Sequence, residues 1–107
     1  MKRGDIVILA PPSPFNKPRP CLVVQAEVFS ETETVTVALI TSDLAYTTGL
    51  RVPIQPSAMN GLRKPSEIMV DNLQTTPVDR IGGVAGEAEA DVMRQVDIAL
   101  RLFLGLP

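Results

Sequence analysis

Histidine is absent from the 107-residue chain, and so is tryptophan. The first absence removes the commonest general base and the commonest metal ligand together. A Ser-His-Asp triad, a Cys-His dyad and a histidine-based zinc site are therefore excluded. One cysteine, Cys21, cannot form an internal disulfide and fits a reducing compartment. Only Phe15, Phe29, Tyr46 and Phe103 are aromatic, so platforms for stacking bases are scarce. No apolar run approaches the roughly 18 residues that span a bilayer. The apolar residues 6–10 behind the basic Met1-Lys2-Arg3 are too few for a signal peptide. A cytoplasmic chain forming one domain over residues 1–107 is expected. Positive charge is also short: the net charge is -2, so any anion site must be built locally.

Hydrophobic residues at 45% and charged residues at 21% are ordinary globular values and exclude a wholly disordered chain. The charges cluster. Lys2, Arg3, Lys17 and Arg19 crowd the first twenty positions against Asp5. Glu87, Glu89, Asp91 and Asp97 crowd residues 87–97 against Arg94. A polarised surface and an ordinary solvated face both fit that pattern.

Short apolar and β-branched runs predict strands at Asp5-Ile6-Val7-Ile8-Leu9, at residues 21–25 and at residues 34–41. Residues 21–25 are apolar enough to be buried on both faces, whereas the start of 34–41 alternates and predicts one wet face. Between the first two strands, Pro11, Pro12, Pro14, Pro18 and Pro20 predict an extended loop over residues 10–20. Residues 50–54 predict a short strand that Pro53 confines to a sheet edge. Asn60-Gly61 signals a turn. Residues 67–70 predict another strand, followed by a short piece at 73–75. Residues 78–81 predict one more, closed by Gly82-Gly83. From 87 to 104 the period changes to helical, with Val92, Val96, Leu100 and Phe103 on one face and Gly105 as the stop. The expectation is a mainly β protein, a small barrel-like sheet packed by one C-terminal helix.

Three groups could carry chemistry. Arg19 stands at the entrance of an apolar strand, where its planar fork suits a phosphate; an arginine there equally suits a salt bridge. Thr41-Ser42-Asp43 ends the third strand and can bond a phosphate oxygen or a ribose hydroxyl, or bond its own turn. Asp71-Asn72 follows residues 68–70 and could present a carboxylate at the same sheet edge, or simply make a turn. Lys64 could add a cation beside the site. Cys21 reads as a small core residue. No set of residues has metal-ligand spacing, and no phosphate-binding glycine loop is present.

The order of these pieces resembles the MazF/PemK toxin family. Arg3-Gly4-Asp5-Ile6-Val7 followed by Lys17-Pro18-Arg19-Pro20-Cys21-Leu22-Val23-Val24 looks like its opening. Val35-Thr36-Val37-Ala38-Leu39-Ile40-Thr41-Ser42 and Gly61-Leu62-Arg63-Lys64-Pro65-Ser66-Glu67-Ile68-Met69-Val70-Asp71-Asn72 resemble its next two blocks, and Val96-Asp97-Ile98-Ala99-Leu100 resembles its closing helix. The resemblance runs nearly end to end. It implies a small SH3-like or CcdB-like barrel, usually a homodimer. It implies a metal-independent endoribonuclease without cofactor, selective for sequence in single-stranded RNA and held inactive by a cognate antitoxin. It places Arg19 and Thr41 at the reacting phosphate, and the family's strand-end aspartate falls on Asp71. Lys17, Ser42, Lys64 and Asp71 are the expected RNA contacts. Two positions depart from the family pattern: the loop before Arg19 lacks a glutamate many members carry, and Met69 stands where some have arginine. Two other functions share the scaffold: a CcdB-like gyrase-binding toxin without nuclease activity, and a degenerate antitoxin-binding member.

Overall fold

Side-chain parity along the strands explains the architecture. In the computed structural model, residues 1–11, 13–14, 16–44 and 50–107 are described; Pro12 and Phe15 of the proline-rich loop, and Tyr46 among residues 45–49, lie outside them. Six strands form one antiparallel sheet: β1 (Asp5–Leu9), β2 (Arg19–Val23), β3 (Thr34–Thr41), β4 (Arg51–Ile54), β5 (Ser66–Pro77) and β6 (Ile81–Glu87), in the order β4-β5-β3-β2-β1-β6. The helix α1 (Ala90–Leu104) follows. Successive strand residues point to opposite faces. Even-numbered Ile6, Leu22, Ile40, Ile54 and Ile68 pack with Val92 and Val96 of α1 in the larger core. Odd-numbered Val7, Cys21, Val23, Val35 and Val37 form a second core with Leu9, Leu39, Val78 and Ile81. Residues 21–23 are thus buried on both faces, as their composition indicated. The wet start of β3 is also found: Thr36 and Thr75 place their hydroxyl oxygens 2.7 Å apart on an exposed stretch.

Several elements depart from the sequence expectation. β2 begins at Arg19, inside the anticipated loop, with Leu9 opposite Arg19 and Ile8 opposite Pro20. Proline removes one donor but leaves its carbonyl, so Pro20 can hold a place in the ladder. The pieces at 67–70 and 73–75 are one strand, β5. Ala38 pairs with Leu73 while Leu39 pairs with Met69, so Val70, Asp71 and Asn72 are stepped over in a bulge. The strand expected at 78–81 is a 3-10 turn, Val78–Arg80, and Gly82-Gly83 lie within β6 rather than closing a strand. Backbone pairing with β1 (Ile8 opposite Gly83) holds this stretch, and glycines contribute no side-chain pattern to reveal it. The helix starts at Ala90, not 87, because Glu87 ends β6 and the Ala88 amide donates to Gly4 O at 2.8 Å.

β4 and β6 are the two edges of the sheet, and the loop from β4 to β5 bridges them. The Glu87 amide donates to Met59 O at 2.9 Å, so the segment after β4 lies along β6 and closes the curl. Glycine is required on both sides of this contact. Gly61 has φ +71°, and a Cβ there would sit 2.3 Å from Ala85 O. A Cβ at Gly86 would sit 2.5 Å from Asn60 backbone atoms.

On α1, Val92, Val96 and Ala99 are buried against β4 and β5. Phe103, expected on that face, is 42% exposed. Gly105 (φ +69°) ends the helix, with the Leu106 amide donating to Arg101 O at 2.9 Å, a Schellman-type stop. Among the described residues no helix is long and apolar enough to cross a membrane.

Cys21 has no exposed surface, and burial pushes its thiol up to about 11, the Arg19 charge opposing this. The thiolate is the nucleophile, so iodoacetamide at pH 8 is expected to leave native Cys21 unmodified and to label it only through the urea unfolding transition. Rapid labelling of the folded protein would contradict its place in the second core.

Candidate functional site

One end of the sheet carries an open cavity of about 1050 Å³. Three segments wall it: residues 16–20 entering β2, residues 40–43 leaving β3, and residues 61–64 with Ser66 ahead of β5. Ile8 and Ala85 contribute from β1 and β6. The strand register explains why the first two meet. The β2–β3 ladder ends with Cys21 opposite Leu39, and Arg19 and Thr41 each lie two residues beyond that last pair, toward the same end of the sheet. Thr41 in turn pairs with Glu67, whose carboxylate is 3.6 Å from Arg51 in a largely buried ion pair.

Arg19 and Thr41 therefore come together in one cavity, and Lys17, Ser42 and Lys64 line it with them. Asp71 does not line it; it is exposed on the β5 bulge. Turn chemistry falls on Thr41 itself: the Asp43 amide donates to Thr41 Oγ1 at 3.0 Å. That bond occupies an acceptor lone pair and leaves the hydroxyl hydrogen available to donate.

Charge is concentrated here despite the acidic chain. Lys17, Arg19, Arg63 and Lys64, four of the ten lysines and arginines, line the cavity, and Asp43 is the one carboxylate among its described lining residues. The charge clusters of the sequence resolve differently from a simple polarised surface. Lys2 reaches Glu87 at 3.5 Å and Arg3 bonds Asp97, so the start of the chain pairs with both ends of the acidic segment. Lys17 and Arg19 are left to the cavity. Sequence reasoning does not single out Arg63, whose only signal is its place beside Lys64.

The third wall is held by a buried polar cluster that the sequence shows only as a turn. Asn60 has no exposed surface. Its Oδ1 accepts from the Ser57 amide at 3.1 Å and the Leu62 amide at 3.0 Å. Its Nδ2 donates to Gln55 O at 2.7 Å and to Glu89 Oε1 at 3.2 Å. Ser57 Oγ donates to Glu89 Oε2 at 2.6 Å and accepts from the Asn60 amide at 3.0 Å. The Ser57 hydrogen bond chiefly holds the Glu89 carboxyl below its usual range, against a smaller opposing effect of burial. A carboxyl lowered on folding stabilises the native state above its unfolded value near 4.5, and that stability is lost as pH falls through the lower folded value. The urea midpoint is therefore expected to fall between pH 6 and pH 3 less steeply in Glu89→Gln than in the parent. Parallel curves would contradict the coupling.

A curled antiparallel sheet whose strand ends gather cations and a hydroxyl around one cavity defines a small β-barrel protein with a cation-lined cavity at one end. A family profile described as PemK-like, MazF-like toxin of type II toxin-antitoxin system matches residues 2–104. The chain belongs to this PemK/MazF toxin family. "Probable endoribonuclease MazF" of Mycolicibacterium smegmatis is 37% identical over 108 residues, covering 99% of this chain and 98% of the relative. "Endoribonuclease MazF3" of Mycobacterium tuberculosis is 40% identical over 73 residues, covering 67% and 68%. Among solved structures, "Mycobacterium tuberculosis toxin MazF-mt6" superposes with TM-score 0.81 at 32% identity, covering 96% of this chain and 98% of that one. "Endoribonuclease in complex with its cognate antitoxin from Mycobacterial species" superposes with TM-score 0.82 at 25% identity, covering 100% and 97%. The barrel-like fold expected from the sequence is the one these toxins share.

Proposed function

We propose that the protein is the toxin of a toxin-antitoxin system, a metal-independent endoribonuclease that cuts single-stranded RNA at selected sequences. The observation that carries this reading is that Arg19 and Thr41 both line one cation-bearing cavity. RNA brings its own nucleophile. The ribose 2′-oxygen attacks the adjacent phosphorus, the bond to the 5′-oxygen breaks, the 2′-proton departs and the leaving oxygen gains one. The products are a 2′,3′-cyclic phosphate and a 5′-hydroxyl. Arg19 holds the phosphate and stabilises the charge that grows on its oxygens, and the Thr41 hydroxyl donates to the same group and fixes its orientation. With no imidazole in the chain, proton transfer falls to a carboxylate, a hydroxyl or water. Lys17, Ser42 and Lys64 contact the flanking strand; Asp71, outside the cavity of one protomer, contacts RNA only where the strand extends past it.

The partners follow. A cognate antitoxin segment bearing carboxylates competes with RNA for Arg19 and closes the cavity. The active species is a cytoplasmic homodimer, consistent with the exposed Ile98, Leu102 and Leu106 at the end of the chain. The test is incubation of the purified protein with a long mixed-sequence RNA and with single-stranded DNA of the same sequence. RNA cut at recurrent short motifs, with the ends named above and intact DNA, is expected. Gyrase inhibition with uncut RNA would assign the chain to the CcdB-like function instead.

A further inference from the structure

Arg63 and Lys64 are two adjacent like charges on the cavity's third wall. Neither side chain has a hydrogen bond or ion pair with the described residues. Their backbone, by contrast, is pinned on both sides. The Leu62 amide donates to buried Asn60 Oδ1 at 3.0 Å, and the hydroxyl of buried Ser66 donates to Lys64 O at 2.8 Å. Before them, Gly61 sits against Ala85 too closely to admit a Cβ. A rigid segment holding two uncompensated cations repels itself until an anion arrives, and its rigidity lowers the entropy lost on binding one. The scissile phosphate is already taken by Arg19 and Thr41. Resting on the ribonuclease reading, we infer that Arg63 and Lys64 form a second phosphate grip, which holds a backbone phosphate flanking the cleaved linkage and sets how the strand lies across the cavity. Asn60 and Ser66 act as positioning residues for this grip. It contributes to binding and leaves the reacting phosphate to Arg19.

The test is the kinetics of the double variant Arg63→Ala/Lys64→Ala on an RNA oligonucleotide with one cleavage site. Both side chains are exposed, so the melting temperature should match the parent. A KM raised about tenfold is expected, with turnover at saturating RNA retained. The fall of log affinity with log salt should flatten by about 0.7 for each phosphate no longer neutralised. A scan of neutral methylphosphonate linkages outside the cut site should find one flanking position that raises KM in the parent and has no effect in the double variant. Arg63→Lys should recover part of the affinity. Unchanged KM and salt slope in a protein that cuts RNA would overturn the grip alone. A loss of turnover with KM unchanged would also overturn it, placing these residues at the reacting phosphate. A parent protein that cuts no RNA would defeat the functional reading and the grip with it.

Discussion

Replacing Arg19 with alanine is expected to slow RNA cleavage by at least about a hundredfold at saturating substrate, with the fold unchanged. The magnitude follows from removing a charged donor aimed at a group whose negative charge grows in the transition state, inside a cavity walled partly by apolar Ile8 and Ile40. The folded state should tolerate the change. Arg19 is exposed, and unlike Lys2, Arg3 and Arg51 it neutralises no carboxylate among the described residues. No buried charge is orphaned by its removal. One side effect is expected at Cys21: losing the nearby guanidinium raises the thiol pKa further, so the cysteine becomes no more reactive. Single-turnover cleavage together with a thermal melt checks both halves. Arg19→Lys should recover only part of the rate, because an ammonium keeps the charge but not the two-pronged fork. Full activity in Arg19→Ala would remove the residue from the site.

The second large effect is on stability. Asn60→Ala is expected to cost about 2–4 kcal/mol, because truncation removes a fully buried amide and strips partners from the part-buried backbone groups around it. The Ser57 and Leu62 amides lose their acceptor, and Gln55 O and the Glu89 carboxylate lose a donor. At this chain length that corresponds to a fall in melting temperature on the order of 10–20 °C, measurable by calorimetry. Asn60→Asp separates the roles. It keeps the two accepted bonds but places a second carboxylate beside Glu89, so its deficit should be larger at pH 7 than at pH 4. A melting temperature within a few degrees of the parent for Asn60→Ala would mean that the loop between the sheet edges is not held as described. Because Asn60 also fixes the Leu62 amide, surviving Asn60→Ala protein should bind RNA more weakly.

The contrast between Arg19 and Asn60 shows what this sequence discloses. β1 and β3 are legible to the residue because β-branched runs are bounded by Gly4 and polar turns, and the helix is legible because its apolar period changes to 3.6. Arg19 and Thr41 are legible as types at strand ends, and the family resemblance selects them. Their place on one cavity is not, since it depends on the antiparallel pairing of β2 with β3 and on β2 running two residues further back than prolines advertise. Proline blocks a donor, and it does not reveal whether the neighbouring strand needs one. Asp71 falls outside the expected sheet edge because a bulge has no local pattern; its position follows from the pairing of Leu39 with Met69 and Ala38 with Leu73. Asn60 and Gly61 read as a solvent turn because such pairs usually are. Only the curling of the sheet, which brings β6 and Glu89 against residues 57–61, turns that pair into a buried clamp. The glycines of β6 suggest a strand terminus for the same reason: close approach of another backbone leaves no mark on a single strand's composition.

The central claim is that Arg19 and Thr41 act on one phosphate. A double-mutant cycle on single-turnover RNA cleavage, comparing Arg19→Ala, Thr41→Val and the double variant with the parent, tests it most directly. Two groups serving a single phosphate should be strongly non-additive, with the double variant little slower than Arg19→Ala alone. Losses that multiply independently, or a Thr41→Val protein that cleaves at the parental rate, would contradict it.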